Sequence, residues 1–353
     1  MKPRNRQAWG KVPPATLEKA VYGNLGAARD DVIVGPGRGL DNAVVSLGGT
    51  KVMIITTDPV SAIPRLGART SAWLSVHLIA SDYFTSGNTP EFATFSFNFP
   101  REMPALDRES YLRAVGEACR DLGVSIVAGH TGSYPGAGFT VIGAGTMLGF
   151  SRKGRYVDPS MSRAGDIVVM TKGAAIEATA SLAWSFPAHL TKAAGESVMK
   201  KAQRLILSCS VVDDALAARR VGLGPGGVTS MHDATEGGVL GGLEEMAAAS
   251  GRSFVIEADR IIVPSEVAAT CSVFGIDPLT SLSEGTLLTT CDPRAEKELL
   301  GSLMECGIKA SAIGRVERGN GVHLTRNGRT LQAGRFADGY WDAYVRASSD
   351  GLR

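Results

Sequence analysis

Three aspartates offer the most obvious chemistry. Asp41 lies in Gly37-Arg38-Gly39-Leu40-Asp41-Asn42, Asp58 follows Thr56-Thr57, and Asp82 ends Ala80-Ser81-Asp82. A magnesium ion that holds nucleotide phosphates takes one or two carboxylates and completes its shell with water and phosphate oxygens. Three such acids beside loops suffice for one or more ions; the alternative is that each is a solvated loop acid. Two further stretches suit an anion. Met231-His232-Asp233-Ala234-Thr235-Glu236-Gly237-Gly238 opens the apolar helix-period run Val239, Leu240, Leu243, Met246, so its glycines start a helix whose free N–H groups suit phosphate. In the alternative reading this is an ordinary cap, with Asp233 or Thr235 satisfying those N–H groups. In Ala128-Gly129-His130-Thr131-Gly132, His130 stands at a strand end between glycines, where it contacts phosphate, moves a proton or fills a turn. The glycines at 35, 37 and 39 let backbone amides approach phosphate, but no Gly-Lys-Ser/Thr follows, so this is not a P-loop, and turn chemistry accounts for them equally.

These residues need two cores to hold them, because 353 residues exceed the roughly 250–300 at which a single core stops growing. With 37 basic and 35 acidic residues the formal charge is +2, which gives no reason to expect nucleic acid or an anionic membrane as partner. Five scattered cysteines without a Cys-x-x-Cys pair argue against a disulfide framework or zinc site and for a reducing cytoplasm. No apolar run follows the basic N-terminus, and no stretch reaches the roughly 18 apolar residues of a membrane span.

The positioning elements follow from periodicity. A short helix lies within 11–30, a buried strand at Lys51 to Thr57 delivers Asp58 at its end, and a helix from Ser71 runs into Asp82. Phe92, Phe95, Phe97 and Phe99 mark a half-buried strand. Leu112, Val115, Cys119 and Leu122 share a helical face. The polar stretch 151–165 is the expected domain boundary. Beyond it come a strand to Thr171, helices over Ala174 to Trp184 and Lys200 to Val221, a strand Arg252 to Ala258 and a helix Ser265 to Phe274. Ser283-Glu284-Gly285 leads into strand Thr286 to Thr290, a helix runs from Arg294 to Cys306 with Cys306 on its apolar face, and 310–335 reads as a terminal hairpin turning at Asn327-Gly328. The alternation implies α/β or α+β domains.

Taken in order, Gly39-Leu40-Asp41-Asn42-Ala43-Val44, Thr56-Thr57-Asp58, Ser81-Asp82, Gly129-His130-Thr131, Gly165-Asp166, Asp233 to Gly238 and Ser283-Glu284-Gly285 resemble the aminoimidazole ribonucleotide (AIR) synthase superfamily, in its HypE-like, AIR-synthase-related branch. The resemblance covers residues 11–335 and implies a PurM-like architecture: an α/β N-terminal domain, 1–155, that binds ATP and magnesium, and an α+β C-terminal domain, 156–353. It further implies a homodimer whose N-domain strands build a shared barrel. The implied reaction uses the γ-phosphoryl group of ATP to activate an amide-like or acidic oxygen of a small substrate, or transfers that group outright. By the same resemblance Asp41, Asp58 and Asp82 are magnesium ligands, with Asp82 also a base, Glu284 handles substrate or protons, and Gly129 to Thr131 form a phosphate-side loop, in which His130 is the acid–base candidate from its strand-end position. Gly37, Gly39, Asp41, Thr57, Gly129, Thr131, Asp233, Thr235, Gly237 and Gly238 then line the nucleotide. There are departures from the pattern. The chain ends Asp350-Gly351-Leu352-Arg353 without the C-terminal cysteine of HypE, Gly129-His130-Thr131-Gly132 stands where HypE has Gly-Asp-Thr-Lys, and no cysteine occupies the N-terminal glycine-rich region as in selenophosphate synthase. Two other outcomes stay open: a nucleotide-binding regulatory or scaffold protein, and a small-molecule kinase.

Overall fold

The computed structural model describes residues 9–326, 329–332 and 338–352. Two mixed, largely antiparallel sheets follow one another along the chain. The first holds β1 (Val32–Val34), β2 (Ala43–Ser46), β3 (Lys51–Ser61), β4 (Phe92–Asn98), β5 (Ser125–Gly132) and β6 (Val141–Arg152) in the order β1-β2-β3-β6-β4-β5. Only β4 and β5 run parallel, joined by the Ala105–Asp121 helix. The second holds β7 (Ile167–Thr171), β8 (Val228–Ala234), β9 (Ser253–Glu257), β10 (Thr286–Cys291), β11 (Ala310–Glu317), β12 (Gly321–Arg326) and β13 (Arg329–Gln332), ordered β13-β12-β9-β11-β7-β10-β8. Among the described residues neither sheet closes into a barrel.

In β3 the residues Val52, Ile54, Thr56 and Val60 are buried on one face while Thr57 and Pro59 are exposed on the other, the period-2 alternation of a strand covered on one side. The Gly67–Phe84 helix covers that side with Ala72, Val76, Ile79, Ala80 and Tyr83. Strands β8 and β10 are buried along their whole length, as strands covered on both faces are. One apolar cluster runs from Ile54, Ile79 and Tyr83 into Val169, Met231 and Leu287, so the two halves share a core. That shared core sets the end of the Gly67–Phe84 helix opposite the end of β8.

Several boundaries differ from the sequence reading for identifiable reasons. Strand β3 does not stop at Thr57 but continues through Asp58 and Pro59 to Ser61. Its pairing with β2 ends at Ile55, so residues 56–61 pair only with β6, and Pro59 loses no ladder bond. Gly129 to Gly132 are not a loop: they pair with Phe95 to Asn98 as part of β5, and a Cβ on Gly129 would lie 2.7 Å from the Phe95 carbonyl oxygen. The helix expected over Lys200 to Val221 breaks at Cys209 to Val211, where the Val211 N–H donates to Ser81 Oγ and Lys172 Nζ donates to the Ser210 carbonyl. Cys306 is exposed at a helix end, whereas Cys119 is core. The Asn327-Gly328 turn lies outside the described residues; the flanking β12 and β13 pair antiparallel, Arg326 opposite Arg329.

Candidate active site: an acidic cleft between the halves

Seven segments converge where the sheets meet. The 37–42 loop presents Asp41, β3 presents Thr56 and Asp58, the last turn of the Gly67–Phe84 helix presents Asp82, and β8 presents His232 and Asp233. Glu284 arrives on the turn before β10, Glu177 in the first turn of the Ile176–Ser185 helix, and Lys11 from the N-terminal segment. The Thr56 hydroxyl sits 2.9 Å from the Asp41 carbonyl oxygen and 3.1 Å from Asp82 Oδ2, tying strand, loop and helix end together. Asn42 Nδ2 donates to the Asp82 carbonyl at 2.7 Å.

His232 is the hinge pin between the halves. Its Nδ1 lies 2.8 Å from Asp41 Oδ1 and its Nε2 3.0 Å from Glu245 Oε2 on the Gly238–Ser250 helix. Carboxylates only accept, so both ring nitrogens donate. Burial works against the charge, but Asp41 and Glu245 overcome it and hold the imidazolium well above the usual histidine range. Burial acts on Glu245 too, yet its bond to His232 and the charges of Lys11, His232 and Arg38 hold its carboxyl down at about 2. The 37–42 loop reaches His232 because Gly39 lacks a side chain: with φ at +72°, a Cβ there would lie 2.5 Å from the Glu245 carbonyl oxygen. Gly39→Ala is therefore expected to lose about 1–3 kcal/mol of stability from αL strain and steric displacement. A urea midpoint equal to wild type would show that the loop rests elsewhere.

The remaining acids lack such partners. Both carboxylate oxygens of Asp233, Oε2 of Glu284 and Oε2 of Glu177 are buried without a hydrogen-bond donor. Burial, then the charge of Asp41, pushes Asp233 up to about 7 against the opposing charges of His232 and Lys11; Asp58 also rises to about 7, through burial and then Asp233 and Glu236. Burial with Glu236, Asp338 and Asp58 lifts Glu177 to about 8. Asp82 and Glu284 stand well above their usual range, through burial first and then the neighbouring acids. Besides His232, Lys11 brings a cation into the cluster. Burial opposes its charge, but Glu245, Glu236, Asp233 and Glu284 hold its ammonium above the usual lysine value. Its Nζ donates to Thr235 Oγ1 at 2.5 Å and lies 3.8 Å from Glu236. Asp41, His232 and Asp233 place donor atoms within 4.8 Å of one another, the one such group among the described residues. Both His232 nitrogens are engaged, so the carboxylate oxygens of Asp41 and Asp233 are the donors this group has left; Asp58 and Asp82 lie outside it and add further carboxylates to the cleft, and oxygen donors suit magnesium rather than zinc.

Of the sequence candidates, the structure gathers Asp41, Asp58, Asp82, Asp233, Thr235 and Glu284. Asp41 accepts from His232 and also belongs to the group of donor atoms close enough to hold a metal ion. Thr57 points to the opposite face from Asp58 and contacts the Gly145 carbonyl and Thr146; its neighbour Thr56 faces the site instead. His130, Gly129 and Thr131 lie outside the cleft in this chain. Asp58, Gly145, Phe95 and Gly129 form one row across β3, β6, β4 and β5, three interstrand steps or about 14 Å. There His130 is exposed and meets the Tyr134 hydroxyl at 2.5 Å. Gly237 and Gly238 do not offer amides to an anion: the Gly237 N–H donates to Asp338 Oδ2, the Gly238 N–H to the Thr235 carbonyl and the Leu240 N–H to the Leu279 carbonyl. Their role is conformational, with φ at +83° and +63°. Gly37 forms a turn whose carbonyl accepts from Leu40. Lys11, Glu177, Glu236, His232 and Glu245 receive no role from spacing alone.

The architecture and this site define a two-domain α/β protein of PurM-like fold with an acidic cleft between its halves. The chain belongs to the AIR synthase related protein family: the N-terminal domain of that family matches residues 39–150 and the C-terminal domain residues 163–327. It is 28% identical over 292 residues to the carbamoyl dehydratase HypE of Rhizobium leguminosarum bv. viciae, covering 79% of this chain and 77% of that one. It is 27% identical over 305 residues to the thiamine-monophosphate kinase of Methanopyrus kandleri, covering 82% and 86%. A solved structure, AaThiL complexed with AMPPCP and TMP, superposes with a TM-score of 0.65 at 20% identity over 84% of this chain and 90% of that one, a likeness of fold.

Proposed function

We propose that this chain is an ATP- and magnesium-dependent enzyme that activates an amide-like or acidic oxygen of a small substrate by phosphorylation. The carrying observation is the set of buried carboxylate oxygens without donors, above all both oxygens of Asp233. A buried, unpaired anionic group costs several kcal/mol unless a cation satisfies it, and Asp233, Asp58 and Asp82 are the residues that would hold magnesium here. Bound magnesium would neutralise phosphate oxygens and orient the γ-phosphoryl group. The substrate oxygen bonds to the γ-phosphorus as the bond to the β–γ bridging oxygen breaks, leaving ADP. Lys11 faces the cleft mouth and supports the negative charge of the phosphates. Burial and neighbouring acids raise Glu177 to about 8, so it can hold a proton against the substrate, and the same causes push Glu284 well above its usual range. An AMPPCP-bound structural neighbour and the dehydratase and kinase relatives support this reading.

The test is release of ADP with a metabolite panel, with magnesium and with excess EDTA. Turnover is expected only with the divalent cation; turnover undiminished by EDTA overturns the metal assignment, and ATP binding without turnover favours a regulatory or scaffold protein. A phosphorylated metabolite as end product identifies a kinase, whereas ADP, phosphate and a dehydrated product identify the dehydratase course. Lys11→Met is expected to lower kcat/KM for ATP about a hundredfold. A change below about threefold would remove Lys11 from the site.

We further propose a cytoplasmic homodimer formed through the first sheet. Its edge strand β5 exposes Ile126 and Val127, and β6 exposes Val141 and Phe150, an apolar strip with an unpaired strand edge that a second copy would cover.

A further inference from the structure

Away from the acidic cleft, a cavity of about 370 Å³ opens between the two halves, lined by Arg152, Arg155, Arg219, Asn88 and Ser151, with Gly87 and Leu223 closing one side. Arg152 ends β6 and Arg155 follows the next turn, both in the first half, while Arg219 ends the Val212–Arg219 helix of the second. Among the described residues none of the three guanidinium groups has a carboxylate within ion-pair distance, unlike Arg29, Arg69, Arg294 and Arg315, and no acid lines the cavity. The cavity wall is fixed by its own bonds. Asn88 Nδ2 donates to the Ser86 and Arg155 carbonyls, and Ser151 Oγ donates to Asn88 Oδ1 at 2.8 Å. Gly87, with φ at +74°, lets Leu223 close in to 2.6 Å from where a Cβ would stand.

We propose that this cavity binds the phosphate group of a small ligand, bridging the halves at a second site distinct from the acidic cleft. Three exposed arginines around one concave space place like charges together, and an anion relieves their repulsion. Their planar, paired N–H groups match phosphate oxygens, where a lysine would supply only a point charge. The volume admits a pyrophosphate or a phosphomonoester. The acidic cleft, by contrast, repels an anion that arrives without a cation, so the two sites are separable by magnesium.

The test is calorimetry and 31P NMR of the full chain with inorganic pyrophosphate in EDTA at low ionic strength. One-site binding is expected, weakening as salt is added. Arg155→Ala and Arg219→Ala are each expected to weaken it about tenfold, with the lysine variants in between. Asp58→Asn is expected to leave it unchanged. ADP in the same buffer separates a free-phosphate site from one that also grips the nucleoside, by whether ADP binds about as tightly or markedly tighter. Absence of binding, equal binding by the Arg155→Glu/Arg219→Glu double variant, or loss of binding in Asp58→Asn would each overturn the proposal.

Discussion

Asp58→Asn and Asp233→Asn should each lower magnesium-dependent ATP turnover by roughly a thousandfold or more, the scale of losing a preorganised charge at a phosphoryl-transfer site. The same substitutions should raise the melting temperature of the metal-free protein at pH 8, by roughly 2–4 °C for each kcal/mol of repulsion relieved. The opposite signs follow from the cleft itself, which concentrates charge for a ligand at the expense of the fold. A pH dependence goes with them. Asp58 and Asp233 rise from 3.8 to about 7 in the folded chain. Between about pH 4 and 7 the folded state therefore keeps protons that the unfolded chain has released, and metal-free stability falls as pH rises through that window. Glu177, at about 8, extends the fall a little further. Magnesium, binding the deprotonated acids, should flatten or reverse the slope. Melting curves from pH 5 to 8 in EDTA and in magnesium decide this; metal-free stability that climbs with pH, or variants within about tenfold of wild-type turnover, would show that these acids are not the metal site.

The second large effect is structural. His232→Ala is expected to cost about 3–5 kcal/mol, because it leaves the carboxylates of Asp41 and Glu245 facing each other across a cavity without their shared donor. Combining it with Asp41→Asn and Glu245→Gln should recover part of the loss by removing the stranded charges, a non-additivity that an ordinary core histidine would not show. Urea unfolding supplies the numbers, and a loss under about 1 kcal/mol for His232→Ala would mean that solvent, not His232, balances these acids.

Much of the fold was legible because its signals are local. Alternation in Val52, Ile54 and Thr56 marks a strand, and the helix at Ser265–Phe274 agrees with its apolar spacing. Legibility failed where distant groups decide the backbone. Ser81 and Lys172 interrupt the helix at Cys209 to Val211, and pairing with β4 draws Gly129 to Gly132 into β5. The site shows the same division. Asp41, Asp58, Asp82, Asp233 and Glu284 stand out because each is an acid at a glycine-rich or element-ending stretch. Lys11 has no such local signal, since its partners Thr235 and Glu236 lie on the far side of the chain. His232 lies in a strand buried along its whole length and carries no local signal of its own; only the arrival of Asp41 from one side and Glu245 from the other gives it a charge. Thr57 and Thr56 are distinguished by a single step of the strand pleat, which sequence cannot phase without knowing which face the helix covers.

The convergence of Asp58, Asp82, Glu177, Asp233 and Glu284 also bears on how the molecule comes together and comes apart. None of these charges meets another until β3, β8 and the Gly67–Phe84 helix have been joined across long stretches of chain, so their repulsion is a frustrated patch within otherwise mutually supporting contacts, felt late in folding. The shared core of Ile54, Ile79, Met231 and Leu287 holds the halves together from behind, while the cleft pushes them apart at the front. Without a cation that repulsion loosens the cleft, so amides at the end of β8 and at the end of the Gly67–Phe84 helix are expected to exchange faster in EDTA than in magnesium.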